Sequence, residues 1–198
     1  MLTAHAEWKA LRPQPRPDPA ELFSRLTVGE NGERYDFDLS PWSRAVLSWW
    51  LDPAVDWIFL LQASQTSKTV TMQGLLLWSA QHEPGPAMWI AAVEEEAEKF
   101  TTLRLKPFLE AADGAIRTKK KINWRARDLR LYGNMLVHIA WATSARRLRS
   151  WPCRYIFGDE CGIWPYSLPG VGDPLEYVKK RTRRFRNSAR GSTATGRE

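Results

Sequence analysis

The sequence predicts one α/β domain built on a mostly parallel β-sheet flanked by helices. Short apolar runs, typical of strands buried on both faces, alternate along the chain with segments of helical length. The 198 residues are 43% hydrophobic and 26% charged, which suits a single globular domain with a substantial core. A second large domain does not fit in this length.

The first half of the chain predicts an extended segment, a helix and two strand-helix units. Proline-rich sequence opens the extended segment, residues 1–39. Ser40 and Pro41 are predicted to begin a helix that stops at Pro53. Two strand-helix units in succession predict parallel strands joined by right-handed crossovers. Their predicted bounds are 56–61 and 86–93 for the strands, and 68–81 and 94–112 for the helices.

The second half predicts a hairpin, a third buried strand and a basic helix. Residues 129–142 alternate around Gly133 and Asn134, a hairpin signal. Residues 153–160 form the buried strand, which ends in two acids, and residues 173–185 form a capped basic helix.

Charge and cysteine content restrict the partners and the compartment. A net charge of +7 and a pI near 9.6 favour an anionic partner such as nucleic acid or a nucleotide. The two cysteines, Cys153 and Cys161, form no metal-ligand or secreted disulfide pattern, so a reducing cytoplasm is expected. No signal peptide and no apolar run of about 20 residues is present, which predicts neither export nor a membrane span.

The segment QASQTSKT, residues 62–69, follows a predicted strand and precedes a predicted helix. In a nucleoside triphosphate site, Lys68 would contact the phosphates and the hydroxyl of Thr69 would bind Mg²⁺. The backbone amides of residues 65–69, at a helix N-terminus, would surround the anion. Taken alone, the segment is weak evidence for such a site and favours a Ser/Thr-rich turn that carries a solvated lysine.

Asp159 and Glu160 lie at the carboxyl end of the third buried strand, the end at which open parallel sheets bind ligands. Because side chains alternate along a strand, one acid can hold a metal through water while the other orients an attacking water. Taken alone, the pair also suits a turn or a helix N-cap. Together with the lysine segment, it favours a site for ATP and Mg²⁺.

These segments resemble the ATPase half of the large terminase subunit of tailed bacteriophages, in the branch whose loop reads Gln-x-x-x-x-Gly-Lys-Thr. The matching stretches are PWSRAVLSWWLDP, QASQTSKT, MWIAAV, TSARRLRSWPCRYIFGDECGIWP and GDPLEYVKKRTRRFRN. The resemblance implies a P-loop NTPase fold of the additional-strand, RecA-like kind, with the ATPase domain over residues 40–187. It also implies ATP hydrolysis that drives double-stranded DNA into an empty capsid.

By this resemblance, Glu160 is the catalytic acid, Lys68 assists it, and Thr69 and Asp159 hold the metal. The implied ATP-binding residues are Gln62, Gln65, Thr66, Ser67, Lys68 and Thr69, with Trp42 near the adenine. The implied partners are double-stranded DNA, the small terminase subunit, the portal or procapsid, and further copies of the chain in a ring. The implied location is the cytoplasm of the bacterial host.

The sequence departs from the family pattern at three places. Ser67 stands where the family has glycine, and a positive φ there would cost about 1 kcal/mol, which predicts weakened ATP binding. Ser192 and Thr193 weakly echo a coupling motif, but no apolar run precedes them, which predicts an incomplete or poorly filled central strand. Residues 188–198 are expected to be a disordered or truncated tail, and the nuclease domain of the family is expected to be absent.

Several other residues keep alternative interpretations. His138 is expected to be a satisfied core or cross-strand residue rather than a catalyst, because no carboxylate or cysteine partner lies near it in the sequence. The arginines of residues 146–149 suit either a phosphate or DNA contact or a solvated face. A weak DNA-binding surface is predicted at Lys179, Lys180, Arg183 and Arg184. Two other functions stay open for the chain: an inactive nucleic-acid-binding relic, and a helicase-like ATPase.

Overall fold

A computed structural model describes residues 16–28, 32–63, 66–113, 123–125, 128–131, 135–149, 151–182 and 190–195. The α-helices are α1 (Pro19–Phe23), α2 (Trp42–Leu51), α3 (Lys68–His82), α4 (Glu94–Phe100), α5 (Lys106–Asp113), α6 (Ala145–Arg149) and α7 (Pro174–Lys179). A π-helical turn (Thr101–Leu105) joins α4 to α5, and 3-10 turns span Cys161–Ile163 and Lys180–Thr182. The strands are β1 (Thr27–Val28), β2 (Glu33–Arg34), β3 (Ile58–Gln62), β4 (Ala87–Ala91), β5 (Asn123–Arg125), β6 (Asp128–Arg130), β7 (Leu136–Trp141), β8 (Tyr155–Gly158) and β9 (Arg190–Thr195).

One seven-stranded sheet, in the order β3-β9-β8-β4-β7-β6-β5, organises the molecule. Strands β3, β9, β8, β4 and β7 are parallel to one another. At one edge of the sheet, β6 pairs antiparallel with β7, and β5 pairs antiparallel with β6. Every residue of β4 and of β8 is buried, as apolar runs covered on both faces require. The predicted α/β fold with a mostly parallel sheet is therefore confirmed.

Strand β9 occupies the sheet position between β3 and β8. Gly191 lies opposite Ile58 on one side, and Ser192 lies opposite Gly158 on the other. The expectations of an incomplete central strand and of a disordered tail are therefore wrong for residues 190–195. The sequence RGSTAT gives no apolar signal, but backbone hydrogen bonds to two neighbouring strands do not depend on side-chain type.

The N-terminal region is folded rather than extended. Asp18 Oδ1 accepts a hydrogen bond from the Ala20 amide at 2.9 Å, and Pro19 occupies the first turn, so the two residues begin α1. Phe23 is fully buried against α3, where a Cβ at Gly74 would lie 2.3 Å from its ring. The prediction of an extended segment over residues 1–39 is wrong for the described residues 16–28 and 32–39, because the proline read as a breaker starts a helix.

Stacked aromatic rings fix the central strands on one face of the sheet. The Trp50 ring lies 5.5 Å from the Phe157 ring, which in turn lies 5.6 Å from the Trp89 ring. Trp89 also stacks on Phe100 of α4 at 4.4 Å. Fully burying one large apolar side chain stabilises a fold by about 1.5–3 kcal/mol, so this stack holds β8 and β4 rigidly against the helices.

The remaining predicted elements are found with shifted bounds. Strand β6 pairs antiparallel with β7, which confirms the hairpin, although Gly133 and Asn134 lie outside the described residues. Ser40 does not cap α2 with its side chain; the Ser43 hydroxyl donates to the Ser40 carbonyl oxygen at 2.6 Å instead. Within the described ranges, no helix has the length and apolarity to cross a bilayer.

Candidate functional site

The carboxyl ends of β3 and β8 bring together the two segments singled out in the sequence. The Thr69 hydroxyl, in the first turn of α3, donates a hydrogen bond to Asp159 Oδ2 at 3.2 Å. The intervening strand β9 separates β3 from β8, so the two segments meet across one strand width. Thr69 and Asp159 are therefore close enough to share a ligand.

The loop between β3 and α3 closes on its own lysine. Lys68 is only 7% exposed, and its Nζ donates to the carbonyl oxygens of Gln62 at 2.7 Å and Ala63 at 2.6 Å. The Thr66 hydroxyl lies 3.1 Å from Gln62 Oε1 and 2.9 Å from the Ala63 carbonyl oxygen. Gln65 lies outside the described residues. The ammonium group is thus held beside the loop by neutral acceptors, which an anionic ligand would outcompete.

Two non-glycine residues of the described chain have positive φ, and both lie at this edge. Ser67 has φ 62° and ψ 17°, immediately before α3, and Glu160 has φ 50° and ψ 41°, immediately after Asp159. Ser67 therefore adopts the positive φ whose cost was considered for this position. Left-handed backbone at non-glycine residues is uncommon and concentrates at functional sites.

Asp159 is anchored on three sides. Its amide donates to the Ile90 carbonyl oxygen at 2.8 Å, and its own carbonyl oxygen accepts from Trp164 Nε1 at 2.9 Å. Its Oδ1 accepts the Glu160 amide at 3.1 Å, which leaves Oδ2 facing Thr69. The preceding Gly158 admits no side chain, because a Cβ there would lie 2.9 Å from Cys161 Sγ.

Glu160 is the acid whose ionisation is disturbed. Burial raises the pKa of its carboxyl group above the ordinary value, and the carboxylates of Asp159 and Glu96 act in the same direction. The cations of Arg104 and Lys68 oppose this rise in pKa. A carboxylate with a raised pKa, placed beside a ligand cavity, has the property required of a general base.

A cavity of about 350 Å³ adjoins the two acids. Its lining combines an apolar floor with charged side chains: Trp89, Ala91, Ala92, Glu96, Lys99, Phe100, Leu103, Arg104, Asp159 and Glu160. The sequence predictions missed the contributions of Glu96, Lys99 and Arg104. Their spacing on the helix that follows the neighbouring strand β4 was the available signal, because residues three, four, seven and eight apart share one helix face.

The other predicted site residues have different positions. Trp42 opens α2 partly buried and packs against the main core. Lys179 pairs with Glu176, and its Nζ lies 5.8 Å from the Trp57 ring centre. Lys180 is exposed, whereas Arg183 and Arg184 lie outside the described residues. Ser192 and Thr193 belong to β9, where only the backbone is described.

His138 has the carboxylate partner that was not expected. Its Nδ1 lies 2.7 Å from Asp128 Oδ1, and the ring is 4% exposed. The absence of a partner was inferred from the linear sequence, but antiparallel pairing of β6 with β7 places Asp128 directly opposite His138. The cross-strand position expected for this histidine is confirmed.

The comparisons with known proteins agree with this arrangement. A family model described as phage terminase large subunit gpA, ATPase domain, matches residues 29–196. No curated protein sequence matches significantly. Similar solved structures include the large terminase of bacteriophage HK97, with a TM-score of 0.68, 14% identity, and coverage of 89% of this chain and 37% of that one.

Two further structures share the fold. The large terminase ATPase domain of Thermus phage P74-26 has a TM-score of 0.58 and 16% identity, with coverage of 87% of this chain and 71% of that one. The large terminase of a thermophilic bacteriophage, solved in complex with ADP, has a TM-score of 0.54 and 14% identity, with coverage of 79% and 38%. At these identities the likeness concerns the fold. The chain spans little more than a third of the HK97 and ADP-bound proteins.

Proposed function

Because this chain belongs to the family of phage terminase large subunit gpA ATPase domains, we propose that it binds ATP with Mg²⁺ and hydrolyses the ATP. The observation that carries the proposal is the contact between Thr69 and Asp159 at 3.2 Å, beside a buried lysine. A hydroxyl, a carboxylate and an ammonium group gathered at the carboxyl edge of a parallel sheet suit a polyphosphate with its metal ion.

The donor set fits Mg²⁺. The Thr69 hydroxyl and the Asp159 carboxylate offer hard oxygen ligands, and Mg²⁺ is usually held by one or two protein carboxylates together with substrate phosphates and water. Mg²⁺, when bound, neutralises charge that develops on the β- and γ-phosphates. The Thr69 oxygen would bind the ion through a lone pair, and the hydroxyl hydrogen could still be donated to Asp159.

The side chains of this chain supply the other steps. Lys68 leaves the carbonyl oxygens of Gln62 and Ala63 and pairs with the phosphates, while backbone amides at the start of α3 bind the anion. Glu160 accepts a proton from the water whose oxygen attacks the γ-phosphorus. The bond from the γ-phosphorus to the bridging oxygen breaks, and ADP and phosphate are released.

We infer that this hydrolysis drives the packaging of double-stranded DNA in a larger machine. The inference follows from the family and from the +7 net charge, which favours a polyanionic partner. The expected partners are the small terminase subunit, the portal or procapsid, and neighbouring copies that form a ring and contribute an arginine in trans. The proposed DNA contacts are Lys179, Lys180, Arg183 and Arg184. Ser192 and Thr193 are proposed to couple ATP hydrolysis to DNA movement. The proposed location is the host cytoplasm.

The proposal is tested by nucleotide affinity and by DNA-stimulated ATP turnover. We expect Lys68→Ala to weaken binding of ATP, and Glu160→Gln to abolish turnover while binding of ATP is retained. The matched control is Glu110→Gln, which makes the same change of side chain at an exposed position of α5. It should change neither the affinity for ATP nor the rate of ATP turnover. Nucleotide affinity that is the same with and without Lys68, combined with absent turnover, would instead favour the inactive relic. Unwinding of a tailed duplex would favour a helicase.

A further inference from the structure

The left-handed residue Ser67 is held by a side chain four residues further along the chain, in α3. The Ser67 carbonyl oxygen accepts two hydrogen bonds from Thr71, one from the amide at 2.9 Å and one from the hydroxyl at 3.0 Å. Among the described residues, the Ser67 side chain finds no capping hydrogen bond of its own at the start of α3. Thr71 therefore fixes the orientation of the Ser67 carbonyl group.

The Thr71 hydroxyl is itself held by Tyr35, which directly follows β2. Tyr35 Oη lies 3.2 Å from Thr71 Oγ1, and the two residues are 6% and 0% exposed. A carbonyl oxygen can only accept and threonine has one hydroxyl hydrogen, so the Tyr35 hydroxyl is the donor to Thr71. Two buried hydroxyl groups thus form a relay that ends on Ser67.

The Tyr35 ring is fixed by aromatic packing outside the loop. Its centre lies 5.1 Å from the Phe23 ring and 5.2 Å from the Phe37 ring, in both cases edge to face, which is a preferred geometry for aromatic pairs. The Tyr35 amide also donates to the Leu26 carbonyl oxygen at 2.9 Å. The relay therefore begins at a well-held residue of the N-terminal region.

The relay determines the direction of the Lys68 amide. In a planar trans peptide, the carbonyl group of one residue and the N–H of the next point in opposite directions. Because the Ser67 carbonyl points along α3 towards Thr71, the Lys68 N–H points away from the helix at its start. Amides of a first helical turn have no acceptor within the helix and bind anions at such positions.

We propose that Thr71 and Tyr35 are positioning residues for nucleotide, whose hydroxyls act through the Ser67 carbonyl group to hold the Lys68 amide towards the phosphates of ATP. This inference rests on the ATP binding proposed above. Neither hydroxyl would contact the nucleotide, because both residues are buried. Such support matters at Ser67, because left-handed backbone is less favourable for a residue with a Cβ than for glycine.

The test measures the affinity for ATP with Mg²⁺ by titration calorimetry, which does not require turnover. Thr71→Val keeps the shape of the side chain and removes the hydroxyl, and we expect binding about fivefold weaker. Tyr35→Phe should weaken binding about threefold, because the Thr71 hydroxyl loses the partner that restricts its rotation. Thr71→Ser retains the hydroxyl and should bind ATP within about twofold of the unaltered chain.

Two controls make the same changes of side chain away from the loop. Thr101 Oγ1 donates to the carbonyl oxygen of Ala97, four residues earlier, at 2.7 Å. Tyr155 Oη donates to the Glu83 carbonyl oxygen at 2.8 Å, at the start of β8. Thr101→Val and Tyr155→Phe should leave the affinity for ATP within about twofold of that of the unaltered chain, even where they lower the temperature of thermal unfolding.

A double variant tests the order of the relay. Tyr35→Phe should cause no further loss of affinity when Thr71→Val is already present, because Tyr35 acts through the Thr71 hydroxyl. Additive losses, or losses in the two controls equal to those in Thr71→Val and Tyr35→Phe, would overturn the inference. If Thr71→Val does not fold, Tyr35→Phe carries the test, and unchanged affinity in that variant overturns the inference.

The outcomes for the unaltered chain separate this inference from the proposed function. Absence of ATP binding by the unaltered chain would overturn the proposed function and this inference together. Binding of ATP that is insensitive to both Thr71→Val and Tyr35→Phe would overturn this inference alone.

Discussion

The Thr69 hydroxyl donates a hydrogen bond to Asp159 Oδ2 at 3.2 Å across 90 positions of the sequence. Neither side chain needs this bond for its own element, since α3 and β8 are each held by their backbones and by core packing. The contact therefore results from the packing of the start of α3 beside the end of β8, at the carboxyl edge of the sheet. It places a hydroxyl and a carboxylate side by side, which is the donor pair of the proposed Mg²⁺ site.

Replacing Ser67 by glycine should tighten nucleotide binding. The left-handed backbone at this position is present without nucleotide, so its cost of about 1 kcal/mol falls on folding, whereas the Cβ limits how closely the backbone approaches a phosphate and so weakens binding. We expect about fivefold higher affinity for ATP, the equivalent of about 1 kcal/mol. Titration calorimetry with Ser67→Ala as the control, which keeps the Cβ and removes the hydroxyl, checks the cause. Equal gains in both variants would attribute the effect to the hydroxyl instead.

Replacing Gly158 by alanine should destabilise the protein. The added Cβ would lie 2.9 Å from Cys161 Sγ and 3.0 Å from the Trp164 ring, and overpacking of this kind typically costs about 1–3 kcal/mol. Urea denaturation measures the loss in free energy of unfolding. The double variant Gly158→Ala, Cys161→Ala should recover part of that loss, because it removes the nearest clash. No loss in Gly158→Ala would show that the 3-10 turn yields freely.

The protein should lose stability in alkaline solution. Burial raises the pKa of Cys153 and that of Tyr155 to about 12, from ordinary values of 9.0 and 10.0. The folded state therefore keeps protons that the unfolded state has already lost. The free energy of unfolding should fall by about 1.4 kcal/mol per pH unit for each group, from about pH 9 for Cys153 and from about pH 10 for Tyr155, until about pH 12.

Denaturation curves at several pH values measure this slope. Cys153→Ala and Tyr155→Phe should each make the fall in free energy less steep, whatever they do to stability at neutral pH. An unaltered slope in Cys153→Ala would contradict the effect assigned to its burial.

Apolar runs and the candidate site residues beside them could be predicted from the sequence because each has a local cause. The runs of β4 and β8 are apolar because both faces of these strands are covered, and Asp159 directly follows β8. Lys68 begins the helix that follows β3. Strand β9 could not be predicted, since backbone pairing between two neighbours holds a segment that carries no apolar pattern.

The cavity residues and the partner of His138 were missed for another reason. The pairing of Asp128 with His138 can be found only when the register of β6 and β7 is known. The shared cavity of Arg104 and Glu160 can be found only when the order of β8 and β4 in the sheet is known. Such neighbours are determined by tertiary pairing. Pro19 was also misinterpreted: it was taken to interrupt regular structure, whereas it begins α1.

The position of the polar strand β9 in the sheet has a consequence for folding during synthesis on the ribosome. The strand inserted between β3 and β8 comes from residues 190–195, far along the chain from β3, so the spacing between the lysine loop and the acids is fixed only after residue 195 has been synthesised. Contacts that close such long loops are slow to form. Until they form, the nascent chain would lack the arrangement that we propose binds nucleotide.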